Sequence, residues 1–139
     1  VVYLHGGPEA QARPEYSEIF PELLNAGISV LTPNVRGSSG SGRSFVHADD
    51  KEKRFAAIDD VADCVRFLVD NQLADPRRIA CAGWSYGGYL TMAAMTFHPD
   101  LFVAGQPRRA ISAVQRRWPR DRQAREQYGA GRGDEGLVG

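Results

Sequence analysis

The pentapeptide Gly83-Trp84-Ser85-Tyr86-Gly87 constrains this chain more than any other stretch, because of what lies on either side of it. Ahead of it, Arg78-Ile79-Ala80-Cys81-Ala82 is a short apolar run that reads as a strand buried on both faces. Behind it, Tyr86 to about Phe97 reads as a helix that Pro99 ends. A strand that must reverse into a helix within about three residues crowds the backbone around the residue at the apex. Glycines at 83 and 87 remove the Cβ atoms that would block such a turn, and Gly88 lets the helix lie close on the sheet. The apex residue, Ser85, is then presented at a helix N-terminus, where backbone N–H groups converge. A serine hydroxyl becomes a nucleophile when it is exposed, oriented and next to a base. A glycine-rich turn can also carry an ordinary serine, but the strand before and helix after favour the nucleophile.

The rest of the chain supplies the frame. Val1-Val2-Tyr3-Leu4 reads as a buried strand stopped by His5-Gly6-Gly7-Pro8. From Pro14 to Ala26, Tyr16, Ile19, Phe20, Leu23 and Leu24 form a helical stripe with Gly27 as its stop and Pro21 as an internal defect. Ile28-Ser29-Val30-Leu31 reads as a second buried strand, followed by a Gly/Ser loop from Asn34 to Ser44. Residues 55–73 predict a helix with Ile58, Val61, Ala62, Val65, Leu68 and Val69 on one face. Asp75-Pro76 predicts a turn, and Leu101-Phe102-Val103-Ala104 a fourth strand. Alternating strands and helices predict an α/β fold, a mostly parallel sheet with helices on both faces. Together with the serine turn, this is a partial α/β-hydrolase fold.

Acyl transfer by Ser85 needs two N–H donors for the tetrahedral oxygen. Tyr86, the residue after the nucleophile, supplies one, and the glycine turn at His5-Gly6-Gly7-Pro8 is placed to supply the other. His5-Gly6-Gly7-Pro8, Asn34-x-Arg36-Gly37-Ser38 and Gly83-Trp84-Ser85-Tyr86-Gly87-Gly88-Tyr89 together resemble the catalytic domain of the prolyl oligopeptidase family of serine peptidases. The acylaminoacyl-peptidase and dipeptidyl-peptidase branches are the nearest in character. The resemblance covers about Val1 to Gly105. It implies hydrolysis of short peptides through an acyl-enzyme at Ser85, with the N–H groups of Gly7 and Tyr86 as oxyanion hole. It also implies a β-propeller upstream in the intact protein, and a structural role for Arg36 in tying backbone segments together beneath the site. A carboxylesterase shares the elbow and the glycine turn and is the alternative enzyme.

Other features carry less. Ser38, Ser39 and Ser41 sit in a loop like a phosphate loop, but no Gly-Lys-Ser/Thr follows. Trp84 and Tyr89 are expected to pack around the elbow. Cys64 and Cys81 have no disulfide or zinc spacing and lie in apolar runs, which predicts buried, inert thiols. No metal, cofactor, nucleic-acid or membrane partner is indicated, and the expected location is cytoplasmic. Arg132-Gly133-Asp134 reads as a chance tripeptide.

The elbow lacks its usual companions. In α/β-hydrolases the acid and then the base follow the serine. His5 and His47 precede Ser85, and His98 lies at the far end of the helix that starts there. No triad acid or base is assigned, and Asp100, Asp121 and Asp134 read as surface carboxylates. Residues 1–105 carry 9 Lys/Arg against 13 Asp/Glu, whereas 106–139 carry 8 Arg against 4 Asp/Glu. That sign change, with a glycine-rich ending, makes 106–139 an anomalous tail, expected to be unstructured or out of frame after a frameshift near codon 105. The start inside a strand-like run at Val1 is expected to reflect a missing upstream part. A non-catalytic fragment is therefore the reading from outside enzymology.

Overall fold

The structure, a computed structural model, describes residues 1–108. Its centre is a parallel three-stranded sheet in the order β1 (Val2–Leu4), β2 (Ala80–Trp84), β3 (Ala104–Arg108). Parallel neighbours need crossover connections, and helices supply them. Between β1 and β2 lie α1 (Ile19–Asn25), α2 (Arg43–Val46) and α3 (Arg54–Asp70), and α4 (Tyr86–Phe97) joins β2 to β3. Val2 pairs with Cys81 and Leu4 with Gly83, while Ala80 pairs with Ala104 and Trp84 with Arg108.

Side chains alternate across a strand, so β1 feeds two faces. Val2, Leu4 and Cys81 point into a core shared with Ala57, Ile58, Val61 and Val65 of α3 and Leu90, Ala93 and Ala94 of α4. Ile58 and Val61 are 1% and 0% exposed, each worth on the order of 2 kcal/mol of burial. On the opposite face Tyr3 meets Phe20 of α1 edge-on, ring centroids 5.3 Å apart. Helices thus cover both faces, as the alternation of elements predicts.

Several boundaries differ from the sequence reading. The first helix begins at Ile19, not Pro14, and Tyr16 is 82% exposed rather than part of a buried stripe. Pro21 falls in its first turn, where a missing N–H leaves no ladder bond unmade, so it is no defect. Gly27, at φ 73°, ends the helix as expected: its N–H bonds Leu24 O and the Ile28 N–H bonds Leu23 O. That cap takes Ile28 out of the strand read at Ile28–Leu31, of which only Ser29 and Leu31 bond β1's neighbourhood. The Ile28 N–H is already committed to α1, and only a single bridge forms, Val2 with Leu31. α3 stops at Asp70, short of 73, because Gln72 turns left-handed at φ 57°. Arg78 belongs to a tight 3₁₀ turn, Pro76–Arg78, capped by Asp75, so β2 starts later than read. A second such turn, Pro99–Leu101, displaces the last strand to Ala104–Arg108. β3 therefore crosses the boundary read at 105/106, and 109–139 lie outside the described residues.

Candidate active site

Ser85 sits between β2 and α4 with φ 54° and ψ −110°. A non-glycine residue rarely holds such angles, which cost on the order of 1–3 kcal/mol unless the surroundings enforce them. Here both sides enforce them. The Ser85 N–H donates to Arg108 O on β3 at 2.9 Å, and its carbonyl accepts the Tyr89 N–H of α4 at 3.1 Å.

The flanking glycines are required by contact. A Cβ on Gly87 would overlap the carbonyl of Leu4, and one on Gly83 would overlap the backbone of Gly87 and stand 2.9 Å from Leu4 O. β1, β2 and the first turn of α4 therefore cross at backbone distance. Gly88 is buried in that same turn. Tyr86 is the first residue of α4, at its positive N-terminal end.

The glycine turn after β1 lies against the elbow. A Cβ on Gly6 would stand 3.5 Å from Ser85 Cβ and 3.4 Å from Trp84 O. Gly7, at φ 135°, leaves no room for a side chain, since a Cβ would meet Ala10 N at 2.8 Å. His5 holds the turn's shape: its Nδ1–H donates to Gly6 O at 2.6 Å. Gly6 O can only accept, so Nδ1 carries a proton, and Nε2 pairs with the buried Ser38 hydroxyl at 2.9 Å.

Arg36, two residues before Ser38, bonds Asp60 of α3 through Nε and Nη2, and Nη2 also reaches Ala56 O at 3.0 Å. Tyr89 is 4% exposed, its ring tilted against that of Tyr86 with centroids 5.7 Å apart, whereas Trp84 remains 39% exposed. Burial pushes the thiols of Cys64 and Cys81 up to about 11 each.

The described residues do not bring a histidine to Ser85. His5 is engaged as above, His47 Nδ1 faces Asp50 Oδ2 at 3.0 Å, and His98 Nε2 lies 3.5 Å from Asp59 Oδ1 on α3. Asp100 is exposed in the Pro99–Leu101 turn, and Asp121 and Asp134 fall outside the described residues. One residue escaped the sequence reading. Asp49, 7% exposed, accepts the Tyr86 hydroxyl at 2.7 Å. A tyrosine in the first turn of a buried helix signals that its hydroxyl needs an acceptor. Nothing in the local pattern says which of the carboxylates between 49 and 63 supplies it.

Among the described residues no helix is long and apolar enough to cross a membrane. The family profile described as "Prolyl oligopeptidase family" matches residues 14–135. Dipeptidyl peptidase family member 6 of Caenorhabditis elegans is 39% identical over 119 residues, covering 83% of this chain and 16% of that protein. Dipeptidyl aminopeptidase BIII of Pseudoxanthomonas mexicana is 38% identical over 105 residues, 76% of this chain and 15% of its own length. Among solved structures, a puromycin-hydrolyzing peptidase of Mycobacterium tuberculosis superimposes with a TM-score of 0.70 at 32% identity, over 75% of this chain and 16% of that one. The chain thus spans about 16% of the length of the relatives it matches. Its elbow, parallel sheet and matched sequence place it in one group: the chain belongs to the prolyl oligopeptidase family and carries part of an α/β-hydrolase fold.

Proposed function

We propose that this chain is part of the catalytic domain of a serine peptidase that cleaves short peptides through an acyl-enzyme at Ser85. The observation that carries the reading is the Ser85 backbone, held at φ 54° between β2 and α4 by partners on both sides. Such strain persists where surrounding structure over-determines it, and it presents the hydroxyl at the tip of the turn. Relatives named as dipeptidyl peptidases and a puromycin-hydrolyzing peptidase favour peptide bonds over carboxylic esters as the substrate class.

In the proposed reaction Ser85 Oγ attacks the carbonyl carbon, and the carbonyl electron pair moves to oxygen. That oxyanion accepts from the N–H groups of Gly7 and Tyr86, a pair of donors of the kind whose removal costs about 10²–10³ in rate. Collapse expels the amine and leaves an ester on Ser85, which water then hydrolyses. The base that takes the serine proton, and the acid that orients it, lie outside the described residues. The β-propeller typical of the resemblance would lie in sequence beyond this chain, in keeping with its small share of its relatives' length.

A fluorophosphonate probe tests the nucleophile. Labelling of the longest reading frame that contains the chain, absent in its Ser85→Ala variant, is the expected result, whereas the 139 residues alone, with no assigned base beside Ser85, are expected to stay unlabelled. Labelling that survives Ser85→Ala would reject Ser85, and no labelling of either would favour a non-catalytic fragment. Turnover of an aminoacyl-p-nitroanilide against a p-nitrophenyl ester, measured on the longest reading frame that contains the chain, separates peptidase from esterase.

A further inference from the structure

Two buried polar side chains beside the elbow take no part in the chemistry proposed above, Ser38 at 1% and Asp49 at 7% exposure. Burying such a group costs about 1–3 kcal/mol when it is left unsatisfied. Each is satisfied by one of the two segments that carry the proposed oxyanion donors. Ser38 bonds His5 at the head of the glycine turn that contains Gly7. Asp49 bonds the hydroxyl of Tyr86, the first residue of α4.

The two are also tied to each other. At Gly37, φ 97°, a Cβ would overlap the Asp49 carboxylate, so the loop backbone rests directly on that group. The Gly37 N–H donates to Phe45 O at 3.0 Å, which fixes the loop on α2. Arg36 then fastens the loop to α3 through Asp60. A continuous path runs from His5 through Ser38, Gly37 and Asp49 to Tyr86.

We infer that Asp49 is a positioning residue for the oxyanion donor at Tyr86, coupled through the Arg36-Gly37-Ser38 loop to the glycine turn that carries Gly7. The inference rests on Ser85 being the nucleophile. Its physical basis is leverage. The peptide N–H of Tyr86 follows a residue held in a strained conformation, and helix first turns are where backbone geometry is loosest. Anchoring the tyrosine at its far end, on a carboxylate that is itself wedged under a loop, removes that freedom. Donors to an oxyanion work over about 2.7–3.1 Å, so a displacement of a fraction of an ångström is enough to weaken one. Asp49 acts through its bond to the Tyr86 hydroxyl.

The test uses the longest reading frame that contains this chain, with Tyr86→Phe, Asp49→Asn and Ser38→Ala. Tyr86→Phe deletes only the hydroxyl and is expected to slow fluorophosphonate capture of Ser85 about tenfold, the scale of a small misplacement of catalytic geometry. Asp49→Asn is expected to stay within about threefold of wild type, because an amide oxygen still accepts the hydroxyl. A second readout does not depend on chemistry at Ser85. By amide NMR, Ser38→Ala is expected to shift the Tyr86 N–H resonance, and Tyr86→Phe that of Gly7. Capture unchanged in Tyr86→Phe, Asp49→Asn as slow as Tyr86→Phe, or no shift at either distant amide would overturn the inference. If the wild-type protein is not captured at all, the nucleophile reading fails, and the two amide shifts alone decide the coupling.

Discussion

The Asp60 carboxylate receives three donors from the single residue Arg36: the backbone N–H at 2.8 Å, Nε at 2.9 Å and Nη2 at 2.6 Å. The side chains are 38% and 21% exposed, so solvent screens the charge, and geometry gives the pairing most of its value. Lysine keeps the charge but not the fork. Arg36→Lys is expected to lower stability by on the order of 1 kcal/mol, read from urea unfolding. An unchanged midpoint would mean that the fork contributes nothing beyond its charge.

Ser85 holds its strained backbone at the expense of stability. Glycine tolerates φ 54° without a Cβ clash, so Ser85→Gly is expected to raise stability by about 1 kcal/mol while abolishing probe labelling. Ser85→Ala, which keeps the Cβ, should abolish labelling without that gain. Equal stabilities for the glycine and alanine variants would show that the strain is not felt.

Gly27 and Gly87 separate two reasons for glycine. At Gly27 a Cβ meets nothing within 4 Å, and only the φ of 73° resists a side chain, so Gly27→Ala should cost about 1 kcal/mol. At Gly87 a Cβ overlaps the carbonyl of Leu4, which cannot move without breaking the β1–β2 pairing. Gly87→Ala is expected to cost about 3 kcal/mol or more and to reduce the yield of folded chain sharply. Comparable losses at the two positions would contradict the contact argument.

The two thiols titrate late. Burial raises both to about 11, above the usual thiol value, so the folded chain binds more protons than the unfolded chain between about pH 9 and 11. The associated stability is fully present below pH 9 and is lost as pH rises toward 11. Melting temperature is expected to decline across that window, and less steeply in Cys81→Ala. Native thiols should react with a disulfide reagent at pH 8 far more slowly than those of the chain in guanidinium.

Much of the architecture is visible before folding because it rests on local chemistry. The helix at 86–97 agrees with its sequence reading, since Ser85 and Pro99 bracket it. α3 keeps its apolar face because period and burial coincide. Errors fall where one backbone group has two possible uses. The Ile28 N–H caps α1 instead of starting a strand, and the prolines at 76 and 99 open 3₁₀ turns that delay the strands behind them. At the candidate site the glycines and the serine are legible because each answers a steric demand. Asp49 and the Ser38–His5 pair are not, because they join residues far apart in sequence and carry no local periodicity.

The order of the sheet also has a bearing on synthesis. β2 and β3 are joined by one helix and pair over a short span, so that unit can form as soon as it leaves the ribosome. β1 emerges before β2 and, beyond the single bridge from Val2 to Leu31, has no strand partner until Cys81 has been made. Until then its apolar strand is a loose end, and a nascent chain would rely on holding factors or on rapid collapse of α3 to shield it. The glycine turn that follows β1 is thus translated before the strand it packs beside and is assembled after it.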